Sequence, residues 1–186
     1  MSNQPTSYCQ FVEQEGISPL HSDYHDTEYG YPLETDNELF CRLVLEINQA
    51  GLSWLTILKK KHNFIEAFEG FDIATVAAYN ENDIERLMSN AGIIRNRLKI
   101  KAAIHNANVI KQLQKDYGSF AAWLDHHHPL DRVQWTALFK KTFTFTGGEI
   151  VNEFLMSTGY LPGAHQENCP VFEHILTLQP RWAQSS

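Results

Sequence analysis

Three groups of side chains in this 186-residue chain have types and spacings that chemistry uses. The first centres on an acid in an unusual place. Apolar residues recur at helical spacing from Leu39 to Ala50. Counting about 100° per residue from Leu39 puts Leu43, Ala50 and Ile47 near 40°, 20° and 80°, and Glu46 near −20°, on the edge of the buried stripe. A carboxylate there either caps a neighbouring helix, pairs with an arginine, or lines a pocket, where desolvation raises its pKa and a cation lowers it. Further on, Trp54 follows Gly51 and Leu52, and the N-terminal arm supplies Tyr24 and Tyr29. Rings plus one acid suit a flat, electron-poor ligand, because a cation over an indole face gains about 0.5–2 kcal/mol. Taken singly, each ring reads more readily as core.

The second group is Cys9, His25, His165 and Cys169. His165 and Cys169 stand at i and i+4, a spacing compatible with two ligands on one metal, while Cys9 and His25 lie in the opposite terminus. A tetrahedral Cys2His2 zinc site has no open position and is structural rather than catalytic. Scattered surface imidazoles remain the alternative, since the chain has nine histidines. The third group is the stretch 90–97, with Gly92, Arg95 and Arg97, followed by Lys99 and Lys101. A glycine turn before a helix offers backbone N–H groups and a helix dipole to a phosphate oxygen. A plain packing turn is the competing reading.

These groups need elements to position them. Thr35 and Glu38 make a capping-box pattern that opens a helix over 36–50, and Gly51 ends it. A second helix is predicted over 53–68, short ones over 72–79 and 82–89, and a long one over 97–116 that carries the basic residues behind the glycine turn. Helices over 120–124, 133–141 and 149–157 complete the set. The first 34 residues hold Pro5, Pro19 and Pro32, and the tail holds Pro162, Pro170 and Pro180, so both ends are expected to be irregular. No strand-period run competes, and the predicted class is all-α.

Composition narrows the function. The net charge of −7 argues against a generic nucleic-acid binder, yet nine of the fifteen Lys and Arg fall in three blocks, at 59–61, 95–101 and 140–141. A local basic footprint is therefore possible, with ordinary solvated helix faces as the alternative. Three cysteines are too few for a disulfide framework. No run approaches the roughly 20 apolar residues of a membrane span, and the N-terminus has no basic start followed by an apolar stretch, so a cytoplasmic protein is expected.

The residues taken together resemble the 3-methyladenine DNA glycosylase I family of bacterial base-excision repair. The matching stretches are Tyr24-His25-Asp26 with Glu28 and Gly30, Leu45-Glu46, Gln49-Ala50-Gly51-Leu52-Ser53-Trp54 with Leu58-Lys59-Lys60, Ala91-Gly92-Ile93-Ile94-Arg95 with Arg97 and Lys99-Ile100, and the pair His165 and Cys169. The resemblance implies one glycosylase domain over 1–186 with a helix-hairpin-helix near 82–112. It further implies one structural zinc held by Cys9, His25, His165 and Cys169, joining termini near 9–30 and 159–172.

By the same resemblance Glu46 and Tyr24 take the catalytic role, and Trp54, Tyr29 and Phe11 line the base pocket. Gly51, Leu52, Gly92, Arg95, Arg97 and Lys99 meet DNA, Leu52 as the wedge. The expected partner is double-stranded DNA containing alkylated bases, bound by a monomer and away from membranes. A purine alkylated at N3 is cationic and leaves its sugar readily, so the enzyme must mainly flip the base out, recognise the charge and exclude normal adenine.

One departure stands out: by the resemblance, Glu149 and Glu153 stand where the family has small hydroxyl or neutral side chains and Asn152 where it has an aromatic, with both acids facing solvent as the alternative to a place in the pocket. With Glu153 counted among the base-binding residues, a shifted base specificity stays open, as does a damaged-DNA binding module without turnover. A catalytic metal hydrolase is disfavoured by the fourth protein ligand.

Overall fold

The computed structural model describes residues 5–184 and contains helices and turns, with no strand among the described residues. The chain divides into two compact units, one made of residues 33–154 and the other of both chain ends, 1–32 and 155–186.

The central unit is organised on α3, Asp36–Gln49. Thr35 accepts from the Glu38 N–H at 3.2 Å while the Glu38 carboxylate accepts from the Thr35 N–H at 2.9 Å, so two otherwise unpaired donors are satisfied reciprocally. Leu39, Phe40, Leu43, Val44 and Ile47 are buried against α4 (Trp54–Ala67), α5 (Ile73–Ala77), α7 (Arg97–Tyr117) and α8 (Phe120–His127). Burying each such side chain contributes on the order of 1.5–3 kcal/mol. The α3 carboxylate of Asp36 accepts from the Phe120 and Ala121 N–H groups at 2.8 and 3.1 Å, capping α8 from outside. Between α5 and α7 lies α6, Glu81–Ser89, so the order helix, turn, basic helix predicted around Gly92 is present. Helices α9 (Arg132–Thr142) and α10 (Gly148–Ser157) follow, and the chain passes into the other unit within α10.

The terminal unit corrects the expectation of irregular ends. It holds α1 (Tyr8–Val12), α2 (Pro19–Thr27), α11 (Pro170–Thr177) and a 3-10 turn at Arg181–Ala183. Pro19 and Pro170 open helices instead of breaking them, because the first helical position has no N–H to lose and its φ is the one proline fixes. Gly30 serves this unit by being small: with φ +84°, any Cβ would stand 2.8 Å from Ala164 Cβ and 3.2 Å from the His165 ring.

Candidate functional site

Cys9 on α1, His25 on α2, and His165 and Cys169 before α11 converge inside the terminal unit, all buried, with their ligating atoms within 4.8 Å of one another. Cys9 Sγ lies 3.8 Å from His165 Nδ1, Cys169 Sγ 3.5 Å from the same nitrogen and 3.7 Å from His25 Nε2. Ligands about 2.3 Å (S) and 2.05 Å (N) from a tetrahedral metal stand roughly 3.6 Å apart, so the four atoms fit one ion. Their outer partners agree with that fit. His25 Nδ1 is 2.7 Å from the Asp26 carboxylate, and His165 Nε2 donates to the Tyr29 carbonyl at 2.6 Å. These bonds fix the tautomers that turn Nε2 of His25 and Nδ1 of His165, with lone pairs, toward the thiols. Burial lowers the His165 pKa and raises that of the Cys9 thiol, which leaves a neutral imidazole ready to ligate and a thiol that needs a cation to ionise. The group can hold a metal.

The same unit contains the rings expected at the base. Tyr24 and Tyr29 are buried with ring centroids 5.6 Å apart, and Tyr8 stacks on the half-buried Phe11 at 5.9 Å.

In the central unit, Glu46 is 4% exposed on α3, as the angular count anticipates. Burial pushes its pKa from the usual carboxylate range up to about 8; Arg42, one turn earlier, pulls it down, and Glu153 on α10 pushes it up further. Arg42 is itself buried, and its role is absent from the sequence reading although i, i+4 spacing on a common face carries the signal. Glu153 is half-buried on the Glu46 side of the charge balance. Glu149 instead reaches solvent with its side chain 85% exposed and pairs with Arg132.

Helix α3 ends at Gln49, and Gly51, with a φ of +82°, then turns the chain. Leu52 then projects into solvent, 39% exposed, and Ser53 caps the Thr56 N–H at 3.2 Å so that half-buried Trp54 begins α4.

The turn over 90–96 is pinned from several sides. Asn90 Oδ1 accepts from the Gly92 N–H at 2.8 Å, and from α4 Lys60 Nζ donates to the Ala91 carbonyl at 3.0 Å while Asn63 donates to the Gly92 carbonyl at 3.2 Å. A Cβ on Gly92 would sit 3.0–3.1 Å from Asn90 Oδ1 and Asn63, which is why a glycine stands there. Arg95 is exposed at the tip of the turn. Arg97 pairs with both Glu81 and Glu85 of α6, so its charge is largely committed within the fold.

Lys99 departs from expectation. Instead of facing a phosphate it is 8% exposed, and its ammonium donates to the Asn48 and Ala50 carbonyls at 3.0 and 2.9 Å. Its signal is legible in hindsight, since Lys99, Ala103, Asn106 and Ile110 share the buried face of α7.

Against known proteins, the family model "Methyladenine glycosylase" matches residues 14–136. The chain is 37% identical over 180 residues to DNA-3-methyladenine glycosylase 1 of Escherichia coli (strain K12), spanning 87% of this chain and 94% of that protein. It belongs to the methyladenine glycosylase family. Identity to the DNA-3-methyladenine glycosylase of Haemophilus influenzae (strain ATCC 51907 / DSM 11121 / KW20 / Rd) is 33%, over 89% of this chain and 97% of the relative. Among solved structures, 3-methyladenine DNA glycosylase I from Staphylococcus aureus superposes with a TM-score of 0.75 at 34% identity, covering 83% of this chain and 92% of that one. A tyrosine-to-phenylalanine variant of 3-methyladenine DNA glycosylase I in complex with 3-methyladenine gives 0.77 at 33%, covering 88% and 96%. The methyladenine glycosylase match stops before α10, so Glu153, His165 and Cys169 lie outside it.

Proposed function

We propose that this chain is a monofunctional DNA N-glycosylase of base-excision repair that releases 3-methyladenine from double-stranded DNA. The observation that carries the reading is Glu46: a buried carboxyl in a member of this family, whose pKa burial pushes up to about 8. A cationic base drives it to the carboxylate and gains an ion pair in low dielectric, whereas neutral adenine gains none. Trp54 supplies the face on which the cation stacks, worth about 0.5–2 kcal/mol. Tyr24, Tyr29 and Phe11 keep the base-contacting roles that the family resemblance gives them, Tyr24 through its hydroxyl.

The reaction asks little beyond flipping and recognition. Water adds at C1′, the glycosidic electron pair leaves with the base and neutralises it, and the water's second proton is released. Extrusion costs a few kcal/mol, offset by phosphate contacts, stacking and a wedge, here Leu52.

Residues 82–112 act as the helix-hairpin-helix, with Arg95 on a phosphate beside the turn, whose Gly92 N–H is taken by Asn90 and does not reach out to it. The buried Cys9, His25, His165 and Cys169 hold one zinc ion, whose four protein ligands leave no position for water and make it structural. The protein works as a monomer in the cytoplasm; no helix among the described residues is long and apolar enough to cross a membrane. A second reading, a base specificity shifted from that of the relatives, is favoured by the charge coupling of Glu153 to Glu46. Incubation with methylated duplex DNA and identification of the free bases tests both: 3-methyladenine supports the first, a different dominant base the second, and no base refutes both.

A further inference from the structure

The placement of Lys99 has a consequence for base extrusion. Its two acceptors, the Asn48 and Ala50 carbonyls, belong to the last turn of α3, where backbone oxygens lack intrahelical partners and the helix dipole favours a cation. Helix α3 has no basic residue of its own in that turn. Beyond it come Gly51, with nothing within 4 Å of where a Cβ would be, exposed Leu52, whose N–H donates to the Gln49 carbonyl at 2.7 Å and whose carbonyl accepts from the Gln49 side chain at 3.3 Å, and Ser53, which caps α4. Lys99 thus ties this turn to α7 from outside α3. It stands three residues after Asn96, which caps α7 by accepting from the Lys99 N–H at 3.1 Å. The return path is α4, which starts two residues after Leu52 and grips the 90–96 turn through Lys60 and Asn63. Turn, α7, Lys99, the 49–52 turn and α4 thus close a ring of covalent chain and hydrogen bonds.

We propose that Lys99 is a positioning residue for base extrusion: it holds the Leu52 turn at a fixed offset from the 90–96 turn, so that binding a phosphate at one places the apolar side chain at the other. This rests on the glycosylase reading above. A loose Leu52 turn would leave duplex affinity intact and lose its effect only when a base must leave the stack, since an element one ångström out of place forfeits rate rather than binding.

The test is a double-variant cycle with Lys99→Met and Leu52→Ala, measuring single-turnover release of 3-methyladenine and the dissociation constant for undamaged duplex at several salt concentrations. Lys99→Met should slow release at least about tenfold with duplex affinity within about twofold and an unchanged salt slope. Adding it to Leu52→Ala should cost no further rate, and Lys99→Arg should restore most of it. Should Lys99→Met fail to fold, Lys99→Gln, which removes the charge and shortens the reach to the two carbonyls, replaces it in the same cycle. Single effects that multiply in the double variant overturn the proposal, as does a weakened and flattened salt dependence, which would make Lys99 a phosphate contact. A parent protein that releases no base refutes the glycosylase reading itself; a parent that does, with multiplying effects, refutes only the role of Lys99.

Discussion

Replacing Glu46 by glutamine removes the charge and little else, and its consequences follow from one number. The carboxyl has a pKa of about 8 in the fold against 4.5 when unperturbed. At about 1.36 kcal/mol per pKa unit, that difference is a cost of roughly 5 kcal/mol for carrying the charge in the free protein. The sign follows from proton counting. Between the two values the folded state holds a proton that the unfolded state has lost, so the contribution is fully present below about 4.5 and lost as pH rises through about 8. Unfolding by denaturant should therefore show the parent losing roughly 4 kcal/mol more than Glu46→Gln between about pH 5 and pH 9, the variant becoming the more stable of the two at the alkaline end. Catalysis should move the other way. The methylated nucleotide is a fixed cation, so the parent's kcat/KM should climb up to tenfold per pH unit and level off near the free-protein value of about 8. Glu46→Gln should flatten that limb and lower the plateau by about 10–100-fold, or about 1.4–2.8 kcal/mol. The reasoning fails if the variant keeps the limb, if stability responds to pH identically in both proteins, or if activity falls above pH 8, which would mean that the acid rather than the carboxylate acts.

Other expectations concern the metal, the stack and the phosphate. Purified protein should carry about one zinc, and Cys169→Ala should lose it with a drop in Tm of several degrees that chelator treatment of the parent reproduces; full metal content in the variant would break the assignment. Trp54→Ala should weaken binding of free 3-methyladenine by about 2- to 30-fold with the fold intact, read by calorimetry. Arg95→Gln should lower the slope of log affinity against log salt by about 0.9, while Arg97→Gln, whose partner charges Glu81 and Glu85 lie on α6, should lower Tm more than the slope. The reverse ranking would reassign the phosphate contact.

Local signals made much of the central unit legible. The Thr35 and Glu38 capping box, the stop at Gly51 and the 3.6-residue period of α3 and α7 are set within a few residues of chain, and Glu46 betrayed itself by standing on an apolar stripe. The terminal unit was hidden for a physical reason. Its helices are five to nine residues long, too short for a period to show, and each of the two longer ones opens on a proline that reads as a breaker unless its first-turn role is considered. Charge at the glycine turn misled in a different way. Four basic residues over 95–101 look alike in sequence, but Arg97 is held by acids from another helix and Lys99 by carbonyls some fifty positions away, and neither partner is visible from local spacing. The metal group shows the same limit: spacing ties only His165 to Cys169, Cys9 and His25 enter as candidates from the opposite terminus, and the convergence of the four with the support from Asp26 and the Tyr29 carbonyl exists only in three dimensions.

The central claim is that a buried carboxyl on α3 and a stacking indole at the start of α4 let this chain take a cationic purine out of DNA and cut it from its sugar. The most direct measurement is the inventory of products from a methylated duplex under single-turnover conditions, with free bases separated and identified by mass and the strand assayed for abasic sites. The account predicts one abasic site per base released, no strand break until alkali is added, 3-methyladenine as the main free base in the parent, and a rate lowered about 10–100-fold by Glu46→Gln. Duplex binding without any released base, or release that Glu46→Gln leaves unchanged, would contradict it.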